Sequence, residues 1–382
     1  MLRTLAVEGY RSLRRLVVPL GRVTVVTGPN GSGKSSLYRA LRLLAASGRD
    51  GAVAALAHEG GLPSTLWAGP EAGAKAGKPT QGTVRKGPVS LRLGFAGDGF
   101  GYAVDFGLPR PDDTSMFGRD PEIKVESVWS GPVLRPGTLL SERHGPSVRL
   151  RSDAGWTVFE RSLPAWASML SEVGDPVLAP ELLALRDELR GWRFYDHVRT
   201  DDSAPARGSV VGTRTPVLSA DGSDLAAAVR TIAEQGGGRL LDAAIDRALP
   251  GSRVEIEDRG GRFALVLRQS GLLRPLEVEE LSDGTLRYLL WVAALLSERP
   301  AELLALNEPE TSLHPSLLGP LGELISDAAE RSQLIVVSHS EPLVEALGRG
   351  GALVHRLDKE AGETRLLGQG ALDEPAWHWP SR

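Results

Sequence analysis

Apolar and polar positions along this chain follow several distinct rhythms. Arg22-Val23-Thr24-Val25-Val26-Thr27 is β-branched and almost continuously apolar, the pattern of a strand buried on both faces of a parallel sheet. After a glycine-rich stretch, Leu37, Leu41 and Leu44 recur at helical spacing, which predicts a helix over residues 35–44. Far downstream, Leu303-Leu304-Ala305-Leu306 and Leu334-Ile335-Val336-Val337 are again short apolar runs. Between them Leu317, Leu318, Leu321 and Leu324 fall on one side of a helix predicted over residues 315–330. Strand, helix, strand implies a right-handed parallel crossover.

The middle of the chain alternates differently. Val89-Ser90-Leu91-Arg92-Leu93-Gly94-Phe95 and Tyr102-Ala103-Val104-Asp105-Phe106 predict antiparallel strands, with further strands around residues 123–129, 148–151 and 156–159. Helices are predicted at 165–172, 179–190, 223–234 and 239–249. Residues 253–257 and 263–267 read as a hairpin across Asp258-Arg259-Gly260-Gly261. Residues 48–82 are rich in Gly and Ala without a period and read as a loop. No repeats and no heptads occur, so long coiled-coil arms between the two ends are excluded.

Chemistry enters at the turn after the first strand. Gly28-Pro29-Asn30-Gly31-Ser32-Gly33-Lys34-Ser35, followed by Ser36, fits G-x-x-x-x-G-K-[ST] between a strand and a helix. Glycine there allows left-handed backbone and close approach to phosphate oxygens. The exposed N–H groups and the positive helix end favour an anion. Lys34 is expected to reach the β and γ phosphates of ATP and the Ser35 hydroxyl to bind Mg²⁺. The later strands end in Asn307-Glu308-Pro309-Glu310 and Ser338-His339. Ligands of such sheets sit at the carboxyl ends of the strands. Both ends of the chain are therefore expected to share one triphosphate pocket.

Taken with Val7-Glu8-Gly9-Tyr10-Arg11-Ser12-Leu13, Leu281-Ser282-Asp283-Gly284-Thr285-Leu286-Arg287 and Asn307-Glu308-Pro309-Glu310-Thr311-Ser312-Leu313-His314-Pro315, these segments resemble ABC-class ATPases of the SMC, RecF and OLD-like group. Within it the chain is similar to compact RecF-like ATPases filed under an AAA label. The likeness covers residues 1–50 and 275–350. It implies an α/β P-loop NTPase with an ABC-type head: a mostly parallel sheet flanked by helices, an antiparallel β-subdomain and an inserted α+β lobe. The expected division is residues 1–50 and 275–382 for the head, with 51–274 between them, strands 88–107 belonging to the β-subdomain.

The resemblance also implies roles. Glu308 orients and activates water, His339 contacts the γ-phosphate, and Ser282 with Gly284 caps the γ-phosphate held by a second protomer. The Ser312 region crosses the dimer interface. For Arg11 two readings stand, a phosphate contact or a surface charge. Asn307 occupies the position where an Asp usually precedes the catalytic Glu. Its amide oxygen can bind an Mg²⁺-bound water, without the charge that a hard cation prefers. Weaker Mg²⁺ binding and slow turnover are expected. Gln81 is the one candidate for the Q-loop glutamine and reads better as a loop residue.

Composition narrows the partners. The 382 residues are 41% hydrophobic, enough for two lobes, and the net charge of −4 gives no general attraction to nucleic acid or anionic membrane. With no cysteine there are no disulfides and no Cys-based zinc or thiol chemistry. Residues 1–20 lack the pattern of a signal peptide, and no run of 18 apolar residues predicts a membrane span. A cytoplasmic ATPase is expected. One basic-aromatic cluster, Arg190, Trp192, Arg193, Phe194, Tyr195, His197, Arg199, Arg207 and Arg214, could grip nucleic acid or could be a buried aromatic strand with solvated arginines. Asp196, Asp201 and Asp202 dilute its charge and favour the second reading. His314 and His339 lack neighbouring ligands at metal spacing. Three functions follow: an ATPase that dimerises on ATP and acts on DNA in repair or in defence against phage, a nucleotide-gated module that controls a partner effector with little turnover, and, ranked last, a transporter ATPase.

Overall fold

A computed structural model describes residues 1–49, 51–69, 88–111, 113–152, 154–196, 198–370 and 373–382. The chain divides into two units. One comprises Met1–Gly21, Thr27–Trp192 and His355–Arg382, and the other Arg22–Val26 and Arg193–Val354.

The first unit is built on an eight-stranded antiparallel sheet. Its order starts with Leu13–Pro19 and Leu2–Tyr10, then runs through Leu91–Gly97, Phe100–Gly107, Glu122–Ser130, Leu139–His144, Ser147–Ser152 and Gly155–Val158. The alternation read at residues 89–95 and 102–106 is thus a register of direct neighbours, with Leu93 opposite Val104 and Phe95 opposite Tyr102. Helix Lys34–Ser47 belongs to this unit and buries Leu37, Leu41 and Leu44, the predicted stripe. Helix Pro180–Gly191 lies near its end, where Arg190 Nε donates to the Gly48 carbonyl at 2.8 Å.

Two expectations change here. Residues 51–65 of the supposed loop form helices Ala52–His58 and Gly61–Thr65. The first has four alanines in seven residues, alanine being the best helix former, with Ala52 and Leu56 buried one turn apart. Gln81 lies outside the described residues. The helix expected over 165–172 is only Met169–Glu172, because Ser168 is extended and its hydroxyl caps the Leu170 N–H.

The second unit holds parallel strands in the order Arg193–Tyr195, Leu303–Asn307, Gln333–Val337 and Val23–Thr27, the last contributing its first four residues. Asn307 pairs with Val337, and Val337 with Val26. Helices Leu318–Ala328, Asp283–Leu295 and Leu225–Ile232 bury Leu321, Leu324, Leu289, Trp291 and Val229 in one core with Val25, Leu306 and Val336. Crossover helix Leu318–Ala328 is preceded by a 3₁₀ turn, Pro315–Leu317, capped by His314. The hairpin Ser252–Asp258 with Arg262–Gln269 forms as predicted and buries Leu265 and Leu267 in that core.

Trp192, Tyr195 and Arg199 of the basic-aromatic cluster have structural contacts. In the first unit Trp192 is buried against Phe95, ring centroids 5.2 Å apart. In the second, Tyr195 is buried and donates to the Leu218 carbonyl at 2.8 Å, while Arg199 is paired with Asp201. His197 lies outside the described residues. Among the described residues no helix is long and apolar enough to cross a membrane.

Candidate nucleotide site

In the first unit the loop of residues 28–35 has the shape its glycines permit. Gly28 has φ 149° and Gly33 φ 107°, backbone that L side chains rarely adopt. A Cβ on Gly28 would strike the Leu357 carbonyl, and one on Gly33 the Thr364 side chain. Both neighbours lie on the hairpin Leu353–Glu360 with Glu363–Leu366. Thr364 is buried, and its Oγ1 lies 2.8 Å from the Ser32 carbonyl and 2.8 Å from Ser12 Oγ. Nothing in the sequence pattern marked Thr364.

Helix Lys34–Ser47 starts without a side-chain cap and without an acid in its first turn. Its leading N–H groups and the positive end of its dipole are suited to phosphate. Lys34 folds over the loop, its ammonium donating to the Gly28 carbonyl at 2.7 Å and the Pro29 carbonyl at 2.9 Å. Pro29, Asn30, Gly31 and Ser35 are exposed, Ser36 is half-buried, and Ser32 is buried. Arg11, at φ 50°, pairs with Glu59 at 2.8 Å, and Glu59 also accepts from the Tyr10 hydroxyl. Burial, with that carboxylate against it, pushes the Tyr10 phenol well above its ordinary range. Of the two readings of Arg11, the structure shows a partly buried ion pair within its own unit.

In the second unit the acidic loop follows strand Leu303–Asn307. Glu308 sits at φ 49° and Ser312 at φ 63°, left-handed conformations unusual for residues with a Cβ. Strain of this kind persists only where surroundings enforce it. The Glu308 N–H donates to the Val337 carbonyl at 2.8 Å, and the Trp291 indole to the Pro309 carbonyl at 2.9 Å. The side chains of Glu308 and His339 meet, with Oε1 and Nε2 3.0 Å apart. Both are partly exposed, so the contact orients them more than it stabilises the fold.

Glu310 is the residue that sequence reasoning left unassigned. Its Oε1 accepts from the Ser338 hydroxyl at 2.8 Å and from the N–H groups of His339 at 2.7 Å and Ser340 at 3.1 Å. One carboxylate oxygen thus holds the whole turn after strand Gln333–Val337. The signal was the second acid of Asn307-Glu308-Pro309-Glu310, but no spacing links it to residues 338–340.

The segment Leu281–Arg287, which the resemblance matches to the ABC signature, is also ordered from within this unit. Ser282 is the N-cap of helix Asp283–Leu295, its hydroxyl accepting from the Thr285 N–H at 3.2 Å. A Cβ on Gly284 would lie 2.9 Å from the Ser312 carbonyl, so this glycine allows the helix start to pack against the acidic loop. Burial lowers the pKa of the Arg287 guanidinium, one turn further on.

Asn307 tests the fit of Mg²⁺. Its side-chain oxygen is buried and has no hydrogen-bond partner among the described residues. An unpaired neutral oxygen suits a water of a hydrated Mg²⁺, as does the exposed Ser35 hydroxyl. No group of three or more His, Cys, Asp or Glu able to hold a metal occurs among the described residues. Mg²⁺ usually keeps waters and is bound through one or two protein oxygens plus phosphates, so each of these oxygens taken by itself suits that role. His314 instead bonds Ser316 through Nδ1 at 2.8 Å.

The antiparallel sheet of one unit, the parallel strands of the other and the G-x-x-x-x-G-K-[ST] motif make this the fold of a P-loop ATPase with an ABC-type head. The SMC head bound to the C-winged helix domain of ScpA shares this fold, with TM-score 0.51, 13% identity and coverage of 96% of this chain and 97% of that one. The SMC head domain from Thermotoga maritima aligns with TM-score 0.47 and 14% identity over 97% of this chain and 99% of the other. The Pyrococcus furiosus Smc head bound to the C-terminal domain of ScpA aligns with TM-score 0.48 and 12% identity over 96% and 95%. The chain belongs to the family described as "AAA domain, putative AbiEii toxin, Type IV TA system", which matches residues 23–102 and 178–345. No curated protein matches it.

Proposed function

We propose that this protein binds ATP with Mg²⁺, closes as a head-to-head dimer across the nucleotide and hydrolyses it. One observation carries the reading. Asn307, Val337 and Val26 lie on neighbouring parallel strands in one register row. The residues next in the chain are Glu308, Ser338 and Thr27, the last opening directly into the glycine-rich loop. Strand ends of this kind are where open α/β sheets bind their ligands.

In this reading the amides of residues 28–35 and Lys34 hold the β and γ phosphates, and Gly28, Pro29, Asn30, Gly31, Ser32, Gly33 and Ser36 shape that cradle. Ser35 and Asn307 supply oxygens for the hydrated Mg²⁺, which neutralises phosphate charge when bound. Glu308 holds the attacking water in line and takes its proton. His339 leaves Glu308 to meet the γ-phosphate. Ser282 and Gly284 of one protomer cap the γ-phosphate of the other, where a helix start favours negative charge. Most of the rate then comes from positioning and electrostatic stabilisation. Arg11 reaches phosphate only by giving up Glu59, so we assign it the smaller share.

DNA in repair or maintenance, or in defence against phage, is the proposed setting, with a cytoplasmic location. The description of the family as a toxin of a Type IV TA system is compatible with defence. The ScpA C-winged helix domain bound to the first of these SMC heads is compatible with a protein partner. A second reading, a nucleotide-gated regulator of a partner effector with little turnover, is favoured by Asn307, whose amide lacks the usual Asp charge.

Glu308→Gln tests the first reading. Its turnover should fall on the order of 100-fold or more while ATP binding persists, as for loss of a general base. The variant should run as a dimer in sizing chromatography with ATP and Mg²⁺. A monomer at saturating nucleotide would overturn the dimer. Steady-state ATPase rates with and without DNA separate the two settings, since only an enzyme acting on DNA should respond to it.

A further inference from the structure

We propose that Arg207 is a positioning residue that holds the signature segment in its capping shape and neutralises the acid beside it. The inference deepens the reading of Ser282 and Gly284 as a phosphate cap and rests on it.

Arg207 is buried at the end of a 3₁₀ turn, Pro205–Arg207. A buried guanidinium is costly unless each N–H finds an acceptor. Here they do, and the acceptors fall into two groups. Nε and Nη2 donate to the Thr200 carbonyl at 3.0 and 2.8 Å, and Nε to the Asp201 carbonyl at 3.1 Å. Nη1 donates to the carbonyls of Val278, Glu279 and Leu281 at 3.1, 3.2 and 2.8 Å. Nη2 also reaches Asp283 Oδ1 at 2.9 Å. One side chain thus fixes the backbone on the approach to Ser282 and the carboxylate just after it. The rigid fork of arginine can serve these acceptors together, and lysine cannot.

The ion pair explains an awkward feature of the motif. Asp283 stands in the first turn of helix Asp283–Leu295, between the two residues assigned to cap a phosphate. Its negative charge suits the helix dipole but opposes an incoming triphosphate. It is half exposed, so solvent screens part of this charge and a direct partner offsets more of it. Arg207 supplies the opposing charge from the protein interior and makes no bond to the Ser282 hydroxyl, which caps the Thr285 N–H.

The test uses the full chain with Arg207→Met, Arg207→Lys, Arg207→Met combined with Asp283→Asn, and Ser282→Arg as the reference for a lost cap. Calorimetry should give ATP affinity within about threefold of the parent for the Arg207 variants, because the phosphate loop is untouched. The kcat of Arg207→Met should fall about tenfold or more, as for a misplaced catalytic group. Adding Asp283→Asn should recover part of that loss. Hydrogen exchange at amides 281–285 should accelerate while that of helix Lys34–Ser47 stays unchanged, a split that general destabilisation would not produce. Should Arg207→Met fail to fold, Arg207→Lys decides on the same readouts. A kcat within twofold of the parent in the folded Arg207 variant, with turnover abolished in Ser282→Arg, overturns this inference alone. Turnover that survives Ser282→Arg overturns the cap reading and the role of Arg207 with it.

Discussion

The glycine-rich loop and the acidic loop reach defined shapes by opposite means. In residues 28–35 the backbone does the shaping: Gly28 and Gly33 take φ values of 149° and 107°, and Lys34 bonds carbonyls five and six residues before it. In residues 307–312 the left-handed positions are Glu308 and Ser312, which have no glycine's freedom. They are held by bonds from far away in the chain: Val337 to the Glu308 N–H, Trp291 to the Pro309 carbonyl, and Glu310 to the turn at Ser338. A loop shaped mainly by its own glycines keeps most of its form locally, with Thr364 on the Ser32 carbonyl as its distant tie. A loop shaped by distant partners depends on the packing of the whole unit, and so can report on it.

The comparison is broken most severely at Lys34. Lys34→Ala removes the charge-assisted bonds to phosphate while leaving the glycines in place. ATP affinity by calorimetry should fall about 100-fold or more, the equivalent of at least ~2.7 kcal/mol. Unchanged affinity would remove the phosphate-loop assignment. Melting without nucleotide should fall modestly, through loss of the bonds from Lys34 to the Gly28 and Pro29 carbonyls.

Glu310→Ala addresses the other side of the comparison. It strips one acceptor from three donors in a part-buried turn, and the cost should be on the order of 2 kcal/mol by urea denaturation. Turnover should fall about tenfold through loss of His339 placement, with ATP affinity changed little. Glu310→Gln should recover part of both losses, since its amide oxygen can still accept. Equal loss of ATP affinity in this variant would mean that the two loops are not independently shaped.

The smallest effect is at His355, in the hairpin behind the phosphate loop. Burial lowers its pKa, and only the bond to the Pro19 carbonyl opposes this. The unfolded chain therefore binds the proton more readily than the folded one. Its contribution is complete above the ordinary histidine pKa of about 6.5 and is lost as pH falls below it. Between pH 7.5 and 5.5 the melting temperature should drop by about 1–2 °C more in the parent than in His355→Gln. An identical pH dependence in both would remove His355 from the account.

Much of this was legible beforehand. The β-branched run at 22–27, the leucines at 37, 41 and 44, and the apolar runs at 303–306 and 334–337 became strands and a helix because local period and composition agree with burial. The shape of the eight-residue glycine-rich loop was legible because its glycines favour such backbone wherever they stand. Residues 52–58 were misread because a short alanine-rich helix leaves little amphipathic trace, residues 61–65 because a single turn carries no period, and Ser168 shortened a helix that periodicity extended.

Sequence alone determined the chemistry that could occur: a phosphate cradle, a Glu after an Asn, a His after a buried strand, and no thiols. Tertiary structure decided which groups hold them in place. Glu310 gripping residues 338–340, Thr364 against Ser32 and Arg207 beneath Ser282 are contacts across 28 to 332 residues of chain. Such pairings leave no periodic mark, since a hydrogen bond depends on where folding brings its two partners and not on their separation in the sequence.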